Sequence, residues 1–148
     1  MTLSHLGKLS VRQGQFEQAD GFLRRALHTW EQTVGPEHMY LATTLNELAN
    51  LSREQGHYEQ AAMLYQRTLA LREQLGPEHP NLAETLHDLA RLHELQQHLA
   101  EALSCYQQAL AIRQQVLGPE HPKTRETCSA LTQLSQEMRQ IREAGSWV

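Results

Sequence analysis

The string Gly-Pro-Glu-His occurs three times in this chain, at Gly35–His38, Gly76–His79 and Gly118–His121, so its copies stand 41 and 42 residues apart. A fixed period of that size constrains the fold more than any other feature. Each period must be one supersecondary unit that buries its apolar face against its neighbours. The period also runs beyond the link. Gln13-Gly14-Gln15-Phe16-Glu17-Gln18-Ala19 aligns with Gln55-Gly56-His57-Tyr58-Glu59-Gln60-Ala61, and the third copy reads Gln96-Gln97-His98-Leu99-Ala100-Glu101-Ala102. Leu6-Gly7, Leu48-Ala49 and Leu89-Ala90 share one offset. Leu23, Tyr65 and Tyr106 share another, as do Ala26, Thr68 and Ala109. A half copy follows as Cys128, Leu131, Thr132 and Leu134.

Within each copy the apolar spacing is helical. Leu41, Leu45, Leu48 and Leu51 form one stripe, and Leu82, Leu86, Leu89 and Leu92 form the next. Steps of three and four give a helix one buried face. The second helix of each pair carries Phe16, Ala19, Leu23, Ala26 and Leu27, then Tyr58, Ala61, Tyr65 and Leu69. Small alanines let paired helices approach closely, and the aromatic ring fills the space beside them. The links carry helix-end chemistry. Gly35, Gly76 and Gly118 suit a positive-φ cap. Pro36, Pro77 and Pro119 suit the first turn of the following helix, and Glu37, Glu78 and Glu120 suit its N-terminal dipole. His79 is expected either to cap or to pack. No β-branched alternating run is present, so no sheet is expected.

These positions resemble the tetratricopeptide repeat (TPR) family. Its motif has a Leu and a small residue early in helix A, Gly and an aromatic at the turn, then Ala, an aromatic and a second Ala in helix B. The first position, often Trp there, is Leu3, Leu45 and Leu86 here, and the third turn has Gln97-His98-Leu99 in place of Gly-x-aromatic. The period near 42 with its Gly-Pro-Glu-His link is similar to the kinesin-light-chain subtype, also common in bacterial multidomain signalling ATPases. The resemblance implies an all-α fold, a right-handed superhelical solenoid of antiparallel helix pairs. About seven helices are expected, at 2–13, 15–33, 38–55, 57–75, 80–96, 98–117 and 122–143. The repeats would cover 1–37, 38–78 and 79–120, with a capping half-repeat at 121–144 and a tail at 145–148. On the last helix Cys128, Leu131, Leu134, Met138 and Ile141 are expected to face inward. The first helix begins without a comparable polar cap, which suggests the C-terminal end of a longer protein, with a short stand-alone protein as the alternative.

Composition excludes several classes. The 148 residues carry a net charge of −4 with no basic stripe, which argues against a nucleic-acid partner. No run of about 20 apolar residues exists to span a membrane. Met1–Leu9 does not read as a secretory leader. Cys105 and Cys128 lack metal spacing and fit a reducing, cytoplasmic setting. Of the nine histidines, three belong to the links, and His87, His93 and His98 do not match a zinc spacing, so no metal and no cofactor are expected. The chain has no glycine-rich phosphate loop, no Gly-x-Ser-x-Gly and no His-Glu-x-x-His, so no enzyme is expected. Both cysteines read as small core residues.

In the family the A helices line a concave groove. The matching positions here are Lys8 and Arg12, with Ser4, in the first repeat. The second repeat gives Thr43, Asn46, Asn50 and Arg53, and the third gives Glu84, His87, Arg91 and Glu94. Glu126, Ser129 and Gln133 continue the row. Steps of three and four put such residues on one helix face. Amides and cations there suit a peptide backbone or an acidic group, although the clamp for a C-terminal carboxylate seen in chaperone-binding members is not reproduced. The expected function is a non-enzymatic protein–protein interaction module holding a partner peptide or segment on this concave face. A second reading is the C-terminal sensor or regulatory array of a larger multidomain signalling ATPase. A third is a spacer that self-associates through its uncapped first helix or its Trp147 tail.

Overall fold

The structure is a computed structural model. It describes the backbone of residues 3–34, 40–74 and 79–145, and the side chains of residues 15–33, 41–74 and 79–145. The elements are α1 (Leu3–Val34), α2 (Tyr40–Glu54), α3 (Tyr58–Glu73), α4 (Pro80–Leu95), α5 (Leu99–Val116) and α6 (Pro122–Gly145). Among the described residues these are six helices and no strand. The all-α class is as expected. The count differs because the two helices expected at 2–13 and 15–33 are replaced by one continuous helix, Leu3–Val34.

Local sequence does not explain that difference, since Gln13-Gly14 repeats Gln55-Gly56. At the second copy Gly56 has φ 83°. The His57 N–H reaches the Ser52 carbonyl at 2.8 Å and the Gly56 N–H reaches Arg53 at 3.0 Å, which closes α2 with a Schellman cap. The arms on either side are then tied, because the Tyr65 hydroxyl on α3 bonds Asn50 and Arg53 on α2. In the first copy the residue at the Tyr65 offset is Leu23, which has no hydroxyl. A glycine inside a helix costs only about 1 kcal/mol. Without that hydroxyl, the helix runs through.

The chain divides into two compact units, Met1–Leu71 and Arg72–Val148, and each is taken by itself. In the first, Leu41, Ala42 and Leu45 of α2 and Leu71 of α3 form a buried cluster, with Leu27 of α1 and Leu64 of α3 packed on it. In the second, Ala90 of α4, Ala102 and Tyr106 of α5 and Leu134 of α6 are buried together. The expected α4 stripe of Leu82, Leu86, Leu89 and Leu92 is buried throughout. The α6 stripe is narrower than expected. Leu134 is buried, and Leu131 and Met138 are half-buried. Cys128 is exposed, and Ile141 is 53% exposed. A helix covered from one side buries one stripe, and here Thr124 and Thr127 share it with Leu134. Cys105 is half-buried, with its thiol pKa raised by burial and then by Glu101, so it is a packing residue.

The starts expected at 80 and 122 hold, but the residues that make them differ from the sequence reading. Gly118 does cap, with φ 88° and its N–H 3.1 Å from the Arg113 carbonyl. The next helix does not begin at Pro119. It begins at Pro122, as α4 begins at Pro80. The histidine before each proline is the cap: His79 Nδ1 accepts the Asn81 N–H, and His121 Nδ1 accepts the Lys123 N–H, both at 3.1 Å. Proline has no N–H to satisfy, so the ring nitrogen takes the next donor along. The links at Gly35 and Gly76 lie outside the described residues, as do the tail residues beyond Gly145, Trp147 among them.

The third hairpin closes with the same cap on a residue that is not glycine. Gln97 holds φ 63°, the His98 N–H reaches His93 at 2.8 Å, and the Gln97 N–H reaches Glu94 at 3.0 Å. A left-handed residue with a Cβ costs roughly 1–2 kcal/mol. Gln97→Gly should therefore raise unfolding free energy by about 0.5–1 kcal/mol in urea titrations. His121→Ala should lower it by about 1 kcal/mol through the lost cap. An unchanged midpoint in Gln97→Gly would contradict a strained cap.

Candidate functional site

The second unit contains an open cleft of about 600 Å³. Its walls come from α4 (His87, Arg91, Glu94, Leu95) and α6 (Glu126, Ser129, Ala130, Gln133, Glu137), with Tyr106 of α5 between them and Gln97 at one end. The α4 positions recur at steps of three and four, as do those of α6, so each helix turns one face to the cleft.

The walls are set by a polar network beneath them. Arg113 lies on α5 and is 4% exposed. Its Nη1 donates to Thr127 Oγ1 at 2.6 Å and to the Lys123 carbonyl at 3.2 Å, both on α6. Thr127 Oγ1 donates to the Lys123 carbonyl at 3.1 Å. Thr124 Oγ1 donates back to the Arg113 carbonyl at 3.2 Å. The guanidinium thus ties α5 to one carbonyl and one hydroxyl near the start of α6. The same clasp recurs 41 residues earlier: Arg72 Nη1 donates to the Asn81 carbonyl at 2.9 Å and to Thr85 Oγ1 at 2.8 Å. Burial lowers the pKa of both arginines. Glu84 and Asp88 oppose this at Arg72, and Glu126, Asp88 and Glu84 oppose it at Arg113.

His87 stands on this network and is 5% exposed. Its Nδ1 meets Thr127 Oγ1 at 3.1 Å. Its Nε2 lies 3.6 Å from Glu126 Oε1. Its ring meets Tyr106 edge to face, with centroids 5.3 Å apart. The Tyr106 hydroxyl donates to Glu94 Oε1. Burial lowers the His87 pKa first, and Arg113 lowers it further, against Glu126 and Asp88.

Of the residues expected on the concave face, the structure brings His87, Arg91 and Glu94 into one cleft with Glu126, Ser129 and Gln133. Glu84 is half-buried on α4 and does not line it. In the first unit Thr43 is exposed, while Asn46 and Arg53 are buried and Asn50 is half-buried. Asn50 and Arg53 are held by the protein itself: Arg53 Nη1 donates to Tyr65 Oη at 2.9 Å and to Asn50 Oδ1 at 3.3 Å, and the Tyr65 hydroxyl donates to Asn50. Lys8 and Arg12 have side chains outside the described residues. Leu95, Gln97, Tyr106, Ala130 and Glu137 line the cleft without having been expected there. Tyr106 had a signal, since it stands at the aromatic position of its repeat.

Among the described residues no group of three His, Cys, Asp or Glu side chains is placed to hold a metal ion. No described helix is long and apolar enough to cross a membrane.

Proteins of known relationship agree with this architecture. The sequence matches the tetratricopeptide repeat family over residues 1–74, 63–115 and 96–144. Among solved structures, BtubC (BKLC) from P. vanneervenii is 25% identical with a TM-score of 0.79, over 97% of this chain and 57% of that one. A Podosopora anserina putative kinesin light chain with nearly identical TPR-like repeats is 26% identical with a TM-score of 0.78, over 95% of this chain and 67% of that one. The chain thus spans less than two thirds of the length of the first of these. A comparison with curated proteins found no match.

The lowered pKa of His87 makes stability depend on pH. The folded state holds the imidazole neutral below the ordinary value of 6.5, so the unfolded state binds the proton first as pH falls. Unfolding free energy should therefore fall as pH drops from 6.5 towards the lowered folded pKa. His93, also lowered by burial, adds to the slope with the same sign. His87→Asn should flatten part of this slope in unfolding titrations run across that window. An unchanged slope would contradict a buried neutral His87.

Proposed function

The chain belongs to the tetratricopeptide repeat family, and on that premise we propose that it is a non-enzymatic module that binds a segment of a partner protein on its concave helix face. One observation carries this most directly. The cleft of the second unit is open, and Arg91, Ser129 and Gln133 line it, exposed and without a hydrogen bond to the chain among the described residues. Side chains with unfilled donors and acceptors on two facing helices suit an extended peptide, whose backbone offers both at every residue. Tyr106 and Leu95 supply apolar area beside them. The work performed is recognition, with no bond made or broken.

The first-unit amides are poor probes of this reading, because Asn50 holds Tyr65 and Arg53. Arg91→Ala with Gln133→Ala removes exposed groups only, so circular dichroism and melting should match the parent. The test is affinity capture from source lysate with both proteins side by side. A partner held by the parent and lost by the double variant is the expected result. A partner held equally by both would place binding elsewhere.

A further inference from the structure

We propose that the cleft of the second unit takes a cationic side chain of the partner segment, a lysine ammonium or arginine guanidinium, held between His87 Nε2 and the Glu126 carboxylate. This deepens the binding reading above and rests on it.

The argument starts from the direction of the hydrogen bonds beneath the cleft. Thr127 has one hydroxyl hydrogen, which it donates to the Lys123 carbonyl. Thr85 makes the same bond to Asn81 in the preceding repeat. With that hydrogen committed, Thr127 Oγ1 accepts from Arg113 Nη1 and from His87 Nδ1. Nδ1 therefore carries the imidazole proton. Burial and Arg113 keep the ring neutral, against Glu126 and Asp88, with Arg91 acting in the same sense as Arg113. A neutral ring with Nδ1–H has a bare lone pair at Nε2. His87 lines the cleft and is 5% exposed, and its Nε2 lies 3.6 Å from the Glu126 carboxylate. Both atoms are acceptors. A donor placed between them would serve both.

The rest of the cleft fits a cation with an aliphatic stem. Glu94, Glu126 and Glu137 line it against Arg91 alone. Arg113 below donates to Thr127 and Lys123 through Nη1, and the charges of Glu126, Asp88 and Glu84 all act on it. Leu95, Ala130 and the Tyr106 ring offer apolar surface for methylenes. An acidic segment would set its carboxylate against three glutamates and the bare Nε2.

The test uses the whole chain and two readouts. Imidazole ¹⁵N shifts should show Nδ1 protonated and Nε2 bare in the free protein, and the Nε2 signal should move when ligand is added. Labelled Gly-Ser peptides of equal length, carrying Lys, Arg, Glu or no charged residue, are then compared by fluorescence anisotropy. The Lys and Arg peptides should bind, and Glu126→Gln should weaken them at least about fivefold. Glu126 is 62% exposed, so that variant is expected to fold normally. A protonated Nε2 in the free protein would overturn the proposal. So would Lys and Arg peptides that fail to bind, or bind no better than the others. If the Glu or uncharged peptide instead shifts the amides of Ser129 and Gln133, the cation is overturned and the peptide-binding reading stands. Loss of a lysate partner in the Arg91/Gln133 variant would likewise uphold that reading independently.

Discussion

The second unit depends on a buried arginine. Arg113 reaches from the last turns of α5 into the first turn of α6, where the Lys123 carbonyl and Thr127 Oγ1 accept its donors. Removing a guanidinium from water is expensive unless its donors are filled by well-placed acceptors. The helix start supplies two, both to Nη1, at fixed geometry, while Nε is buried without an acceptor among the described residues. The direction of α6 against α5 follows, since moving α6 would strand a buried charge. Arg72 repeats the arrangement with Asn81 and Thr85 at the start of α4. The apolar clusters provide the bulk of the burial, but leucine contacts are not directional. The clasp gives the packing its register.

The same network shapes the cleft. Thr127 Oγ1 accepts from Arg113 and meets His87 Nδ1, so one hydroxyl connects the inter-helix clasp to a ring on the cleft wall. His87 then sits edge-on to Tyr106, whose hydroxyl holds Glu94. Residues that would otherwise be mobile polar side chains are thereby fixed in place. Preorganisation of that kind lowers the entropic cost of binding. Arg91, Ser129 and Gln133 line the same cleft, exposed and without such a tie among the described residues.

Much of this was legible in the repeat, and the exceptions have physical causes. The leucine stripes, the small alanines and the aromatic position gave the helix pairs directly. The clasp was equally periodic, since Arg72 and Arg113 recur at one offset and Thr44, Thr85 and Thr127 at another. It went unread because arginine and threonine are expected on solvated faces. The first copy breaks it, with Trp30 at the arginine offset. Asn50 and Arg53 looked like ligands for a partner because their spacing puts them on the groove face. Their tie to Tyr65 depends on the neighbouring helix, which helix spacing alone does not show. The join of the first two helices was invisible for the same reason: Gln-Gly permits a turn or a helix, and the contact at Leu23 or Tyr65 decides.

The central claim is that Arg113 and Thr127 act as one unit that sets α6 against α5. A double-mutant cycle measures this most directly, with Arg113→Met, Thr127→Val and the pair compared by urea unfolding. Each change keeps most of the buried volume. The account predicts a coupling energy of about 1–3 kcal/mol, because the second loss costs little once the first partner is gone. Single effects that add to within about 0.5 kcal/mol would contradict it.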